Sequence, residues 1–147
     1  MINSRSLGYL AEAARQVCQS HISVCAAGGI ELLVTSTWRD SEAQDALYAI
    51  GRTVQPERRT VTNARGGHSW HNFQCAWDVV PIVGGKCIWD SSDPLWMEVI
   101  RIGKSVGAES GAEWKSFPDL PHFQFIPKPL TLAQAQERFR DTGSIFV

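Results

Sequence analysis

The chain has 147 residues, a formal net charge of -1, a pI near 6.4 and 44% hydrophobic residues. That length predicts one domain with apolar residues enough for a core. The near-neutral charge removes the electrostatic case for nucleic acid or a strongly anionic surface. No stretch is long and apolar enough to cross a membrane.

The first residues lack a basic start followed by an apolar run, so no signal peptide is expected. Leu7, Leu10, Ala11, Ala14, Val17, Cys18 and Ile22 recur at helical spacing, which predicts an amphipathic helix over about residues 6–26, ended by Gly28 and Gly29. Residues 30–36 read as a strand. A helix over about 41–50 follows, stopped by Gly51, and Ser41-x-x-Gln44 has the form of a capping box at its start. Residues 52–67 are polar and predict a long loop, a kind of segment that is usually functional or mobile. Its Arg58-Arg59 pair reads as solvated loop charge.

Residues 75–82 predict a strand, 83–86 a Gly-Gly turn, and 87–89 its hairpin partner. Ser92-Asp-Pro94 opens a helix with Trp96, Val99, Ile100 and Gly103 facing inward, ending at Gly107. Residues 122–126 form another predicted strand, and Thr131 caps a last helix to about residue 140. Helices with short antiparallel strands predict an α+β fold, a small antiparallel sheet flanked by helices. The four cysteines form no C-x-x-C; Cys75 and Cys87 read as small core residues, and Cys18, Cys25, Cys75 and Cys87 are expected as reduced thiols.

The chemistry concentrates in two runs. One is His68-Ser-Trp-His-Asn-Phe-Gln-Cys-Ala-Trp-Asp78 and the other is Asp119-Leu-Pro-His122. His71, Asp78 and His122 supply two imidazoles and a carboxylate, a common catalytic zinc set that leaves a fourth position for water. Such a water, with its pKa lowered to about 7, is a hydrolytic nucleophile at neutral pH. By residue type alone His68 is an equal donor, whereas His21 lies in a helical stretch. Asp119, three residues before His122, is the candidate general base, with Glu113 or Glu109 as its replacements, and Pro121 stiffens the link. Arg39 is the candidate clamp for an oxyanion or substrate carboxylate, against the plainer alternative of an ion pair with Asp40 or Glu42. Gln44 is read as touching substrate or positioning Arg39, and Ser69 as hydrogen-bonding the substrate or a group behind the metal ligands. Among Trp70, Phe73, Trp77 and Trp114, only Trp114 is assigned to a cleft wall.

Ser69-x-His71-x-x-x-x-Ala76-x-Asp78 resembles the S-x-H-x-x-G-x-A-x-D signature of the VanY-like zinc peptidoglycan peptidases. Residues 107–124 are similar to the second half of the L-alanyl-D-glutamate endopeptidase branch, G-L-E-W-G-G-D-W-K-S-F-x-D-x-P-H-F-Q. Thr37-Trp-Arg39, Gln44, Leu47-Tyr48 and Gly51-Arg52 resemble that branch's G-[YF]-R-x-x-x-x-Q-x-x-L-[YF]-x-x-G-R helix. The likeness runs from about Leu33 to Gln124, with Gln74 in place of a usual Gly, Ser110 of Trp, Ala112 of Gly and Glu113 of Asp. It implies a fold like that of hedgehog and D-Ala-D-Ala peptidases, and one Zn2+ per chain on His71, Asp78 and His122.

The implied activity is cleavage of the peptidoglycan peptide stem. The bond is L-alanyl-D-glutamate, because the carboxypeptidase branch usually carries Glu where Asp119 stands. A D,D- or L,D-carboxypeptidase and a non-catalytic zinc-containing binding module are the alternatives; an intact Asp119 argues against the latter. A single catalytic domain over 1–147, without a wall-binding module or signal peptide, implies a monomeric endolysin-like enzyme, cytoplasmic until released to the wall.

Overall fold

Ala14, Cys18, His21 and Cys25 form one buried stripe along α1 (Glu12–Ala27) in the computed structural model, which describes residues 1–128 and 130–146. The stripe follows helical periodicity, but the helix starts later than its apolar spacing implies. Leu7–Tyr9 is a separate 3-10 turn capped by Ser6. Leu10 and Ala11 are extended, and the Ala11 amide bonds to the Gln74 carbonyl at 2.9 Å instead of joining a helix. A tertiary hydrogen bond therefore breaks the predicted helix in two.

β1 (Glu31–Ser36) leads to α2 (Ser41–Ala49). The expected capping box is not made: Asp40 is the cap, accepting from the Ala43 amide at 2.8 Å. Gln44, freed from that task, turns inward and is fully buried. After the 52–67 loop comes a 3-10 turn, Trp70–Phe73, then β2 (Ala76–Val83) and β3 (Lys86–Cys87). Gly84 and Gly85 supply the two positive φ angles, 57° and 77°, of the tight hairpin between them. Because β3 has only two residues at the end of that hairpin, Cys87 is exposed, not a core residue as its apolar neighbours suggested. Cys18, Cys25 and Cys75 are buried, and all four thiols are free.

α3 (Leu95–Ser105), β4 (Glu109–Ser110), β5 (His122–Gln124) and α4 (Leu132–Thr142) complete the chain. Thr131 caps α4 in a reciprocal box with Gln134. The α+β expectation holds: among the described residues four α-helices accompany one antiparallel sheet of order β1-β2-β5-β4, with β3 paired to β2. Along β2 and β5 the side chains alternate faces. Trp77, Val79 and Phe123 enter the core, while Asp78, His122 and Gln124 take the opposite face.

His21 ties α1 to this sheet. Its Nε2 lies 2.9 Å from the Val99 carbonyl, Trp77 Nε1 donates to its Nδ1, and its ring meets Phe123 edge-on at 4.4 Å. Burial pushes the imidazole below its ordinary pKa of 6.5, with the Val99 bond opposing. The unfolded chain therefore takes up this proton first as the pH falls. The stability tied to the neutral ring is complete above about pH 6.5 and is lost below it. His21→Gln is expected to lose less melting temperature than wild type between pH 7 and pH 5, both metal-free. Equal losses would remove His21 from the acid sensitivity.

Candidate functional site

The sheet register places the first two site residues: Asp78 on β2 is directly paired with His122 on β5. His71 arrives from the 3-10 turn, whose start is held by Ser69 Oγ accepting the His71 amide at 3.3 Å. Asn72 Oδ1 accepts the Gly67 and Ser69 amides at 3.0 and 3.1 Å, and Asn72 Nδ2 donates to the Arg39 carbonyl at 2.9 Å. The turn ends at Gln74 with φ 59°, the left-handed conformation that glycine adopts without cost. Gln74 thus keeps a backbone shape suited to the glycine of the related signature.

Three donor atoms converge here. His71 Nε2 is 3.1 Å from Asp78 Oδ1 and 3.2 Å from His122 Nδ1, and His122 Nδ1 is 3.5 Å from Asp78 Oδ1. The far nitrogens are engaged elsewhere: His71 Nδ1 with the Thr37 carbonyl at 2.7 Å, His122 Nε2 with Gln124 Oε1 at 2.7 Å. Carbonyl oxygens only accept, so Nδ1 of His71 and Nε2 of His122 carry the protons. Both inner nitrogens then present lone pairs to one point beside a carboxylate. Lone pairs facing each other are repulsive without a cation between them, so this donor set fits a metal ion.

The charge states agree. Burial alone would raise the Asp78 carboxyl, but the neighbouring His71 and His122 rings hold it well below the usual carboxylate range. Burial holds His71 below the usual imidazole value, against the pull of Asp78. A carboxylate and a neutral imidazole are the forms that bind metal.

A cleft of about 530 Å³ opens over these atoms. Arg39, Asp119, Ser69 and Trp114 line it, as do Trp70, Phe117 and residues 61–64 of the long loop. Asp119 is fixed through its amide to the Gly111 carbonyl at 2.9 Å. Gly111 has to be glycine for this approach, since a Cβ there would lie 2.5 Å from the Asp119 carbonyl oxygen. Burial first, then the charge of Asp78, raises the Asp119 carboxyl above the usual value, with His122, His71 and Arg39 opposing. The replacement bases lie elsewhere: Glu113 pairs with Lys104, and Glu109 with Lys128 at 2.8 Å.

Arg39 makes no ion pair with Asp40, whose carboxylate accepts the Ala43 and Ile2 amides. Its amide bonds to the His71 carbonyl at 3.1 Å, and its guanidinium lies in the field of Asp78 and Asp119. Trp114, 36% exposed, stands over His122 with ring centroids 4.6 Å apart. Trp77 and Phe73 belong to the core. His68 is an exposed cleft residue bonded to the Gly66 carbonyl and lies outside the donor set. Gln44 does not reach the cleft surface, contrary to the expectation of substrate contact.

Thr37 and Gln124 had no assigned part in the sequence reading. Gln124 carried a signal, since two residues beyond His122 on a strand is the same face. Gln124 Nε2 donates in turn to Glu109 at 3.3 Å. Removing such a partner typically weakens metal binding about 10–100-fold. Gln124→Ala is expected to do so in a zinc-competition titration; wild-type affinity would show that the His122 ring is oriented by packing alone.

Two family models described as D-alanyl-D-alanine carboxypeptidase match the chain, one over residues 62–125 and the VanY model over residues 8–91. Over 107 residues it is 39% identical to the peptidoglycan L-alanyl-D-glutamate endopeptidase CwlK of Bacillus subtilis (strain 168). That match covers 67% of this chain and 63% of CwlK, so the chain spans less than two thirds of that relative. The L-Ala D-Glu endopeptidase ChiX of Serratia marcescens superposes with a TM-score of 0.61 at 21% identity, over 95% of this chain and 91% of that one. The D,D-pentapeptidase VanY of the VanB-type resistance cassette, solved with Zn(II), gives 0.61 at 12% identity over 92% and 80%. The LdcB LD-carboxypeptidase gives 0.64 at 16% identity over 92% and 65%. These structures share the fold, and with the VanY model spanning residues 8–91, more than half of the sequence, the protein belongs to the VanY family.

Proposed function

We propose that this protein is a monomeric zinc peptidase whose catalytic domain, residues 1–147, hydrolyses the L-alanyl-D-glutamate bond of the peptidoglycan stem. The convergence of two imidazole lone pairs and an ionised carboxylate, with Asp119 beside them in a cleft, carries the reading. His71, Asp78 and His122 would hold one zinc ion. Zinc, when bound, supplies Lewis acidity that polarises the scissile carbonyl and acidifies water.

Asp119 takes the proton from the attacking water and returns it to the leaving amine nitrogen. Burial of its carboxyl favours uptake of a proton, and Gly111 and Pro121 keep it in place. Arg39 faces the negative charge of the substrate, either the oxyanion developing on the carbonyl or the carboxylate next to the cut bond. Trp114 walls the cleft above His122, and Ser69 secures His71 while its hydroxyl lines the cleft. The choice of bond follows the 39% identity with CwlK.

Digestion of defined muropeptides followed by mass spectrometry tests the reading. New N-terminal D-glutamate is expected. Loss of D-alanine instead would favour the carboxypeptidase activity for which the family models are named. Product-free digests with a zinc-loaded protein would leave a zinc-containing binding module. We extend the proposal to wall lysis of the endolysin kind, in which the enzyme acts once it has been released to the wall. The turbidity of outer-membrane-permeabilised Gram-negative cells should fall on its addition.

Arg39→Lys keeps the charge but loses the planar fork, so it is not a conservative change. Transition-state stabilisation should drop by about 1–3 kcal/mol, the range for charged hydrogen bonds, with little change in melting temperature. Full activity, or activity falling only with the folded fraction, would make Arg39 a structural residue.

A further inference from the structure

Three buried side-chain polar atoms lack a hydrogen-bond partner among the described residues, Ser36 Oγ, Arg39 Nε and Gln44 Oε1, and the last two are complementary, a donor and an acceptor. With Asp40 as the cap of α2, Arg39 is the residue before the cap and Gln44 the fourth residue of the helix. These two positions are neighbours at a helix N-terminus, where an apolar pair often packs together. Here the pair is polar.

The orientation of the Gln44 amide follows from its other end. Nε2 donates to the Ala64 carbonyl at 2.9 Å and lies 3.4 Å from Thr62 Oγ1, so the oxygen is the end left over. Gln44 is 0% exposed, which removes it from substrate contact. Thr62 and Ala64, by contrast, line the cleft. A buried polar atom left unpaired keeps an uncompensated desolvation cost, so two of opposite sense at adjacent positions are better paired than apart.

We propose that Gln44 is a positioning residue that joins Arg39 to the cleft-wall loop. Its Oε1 receives Arg39 Nε–H, directly after a small side-chain rotation or across one water, while its Nε2 holds the Ala64 carbonyl. One side chain thereby sets the distance between the cation of the cleft and the wall formed by residues 61–64. The Arg39 backbone is already pinned to His71 and Asn72, so only its side chain needs this second anchor. The inference rests on the reading of Arg39 as the group that meets the substrate.

A double-mutant cycle decides it. Gln44→Met should lower kcat/KM on the stem peptide about tenfold in the wild-type background and less than about twofold in Arg39→Lys, since lysine has no Nε–H to hold. Equal losses in both backgrounds overturn the proposal, as does a loss that tracks the unfolded fraction in melts of the same samples. Hydrogen exchange of the Arg39 Nε–H, identified by its absence in Arg39→Lys, needs neither zinc nor substrate. That exchange should be slow in wild type and quicken about tenfold or more in Gln44→Met; an unchanged rate overturns the proposal.

If Gln44→Met does not fold, Gln44→Glu keeps the acceptor and loses the donor. Retained protection of the Arg39 Nε–H supports the pairing, and its loss overturns it. A protein that cuts no stem peptide yet shows the exchange coupling would sink the functional reading and leave the Arg39–Gln44 pairing standing.

Discussion

Asp119→Asn is expected to keep the metal and the fold while turnover falls about a hundredfold or more, the usual size of an acid–base contribution. The substitution preserves shape, and the Asp119 backbone contacts to Gly111 and His122 involve main-chain atoms that asparagine retains. Only basicity is lost. The pH dependence should show the same group. In the metal-free protein, burial and the charge of Asp78 hold its carboxyl above the ordinary range. The base form is then complete at high pH and is lost, as pH falls, earlier than for an ordinary carboxylate. A bound cation would pull that value back down, so the acid limb of kcat/KM, read against the metal-free titration, measures how closely the ion and Asp119 interact. The Asn variant should lose this limb. Turnover near wild type, with zinc retained, would assign the proton to another group. Glu113 and Glu109 are poor candidates, since each is paired with a lysine away from the cleft.

His122→Ala should lower zinc affinity by more than the roughly 10–100-fold expected for its partner Gln124, because on the proposed reading a ligand atom itself is removed. His71 and Asp78 would remain as two donors. Little activity should survive. The ring is 3% exposed and sits on β5 between Trp114 and Gln124, so the variant also leaves a space in the sheet face. Near-ultraviolet circular dichroism on the same sample separates that packing loss from metal loss. Wild-type zinc content in a folded His122→Ala protein would take His122 out of the site.

Much of this was legible in local pattern. Helical spacing located α1 and α3, the Gly-Gly pair located the hairpin, and Thr131 announced the last helix, because each depends on residues within one or two turns of chain. The residue types and order of His71, Asp78, Asp119 and His122 pointed to a metal-binding donor set with a carboxylate beside it before any distance was known. The rest depended on pairings between distant segments. Asp78 faces His122 only because β2 pairs with β5 in one register, and a slip of one residue would turn one of them into the core. The Thr37 carbonyl meets His71 only after β1 pairs with β2 and brings the end of β1 beside the 3-10 turn. Ser41-x-x-Gln44 had the form of a cap, but Asp40 took that place and left Gln44 free to hold Ala64, a contact twenty residues away. Leu10 and Ala11 fitted the helical spacing, yet the Gln74 carbonyl claimed the Ala11 amide. The amino-acid sequence by itself determined the periodic elements and the types of the candidate donor groups, since these follow from near neighbours and residue identity. The tertiary structure alone decided register, which histidine nitrogen faces inward and which polar side chains are buried, because those depend on groups that folding brings together from far along the chain.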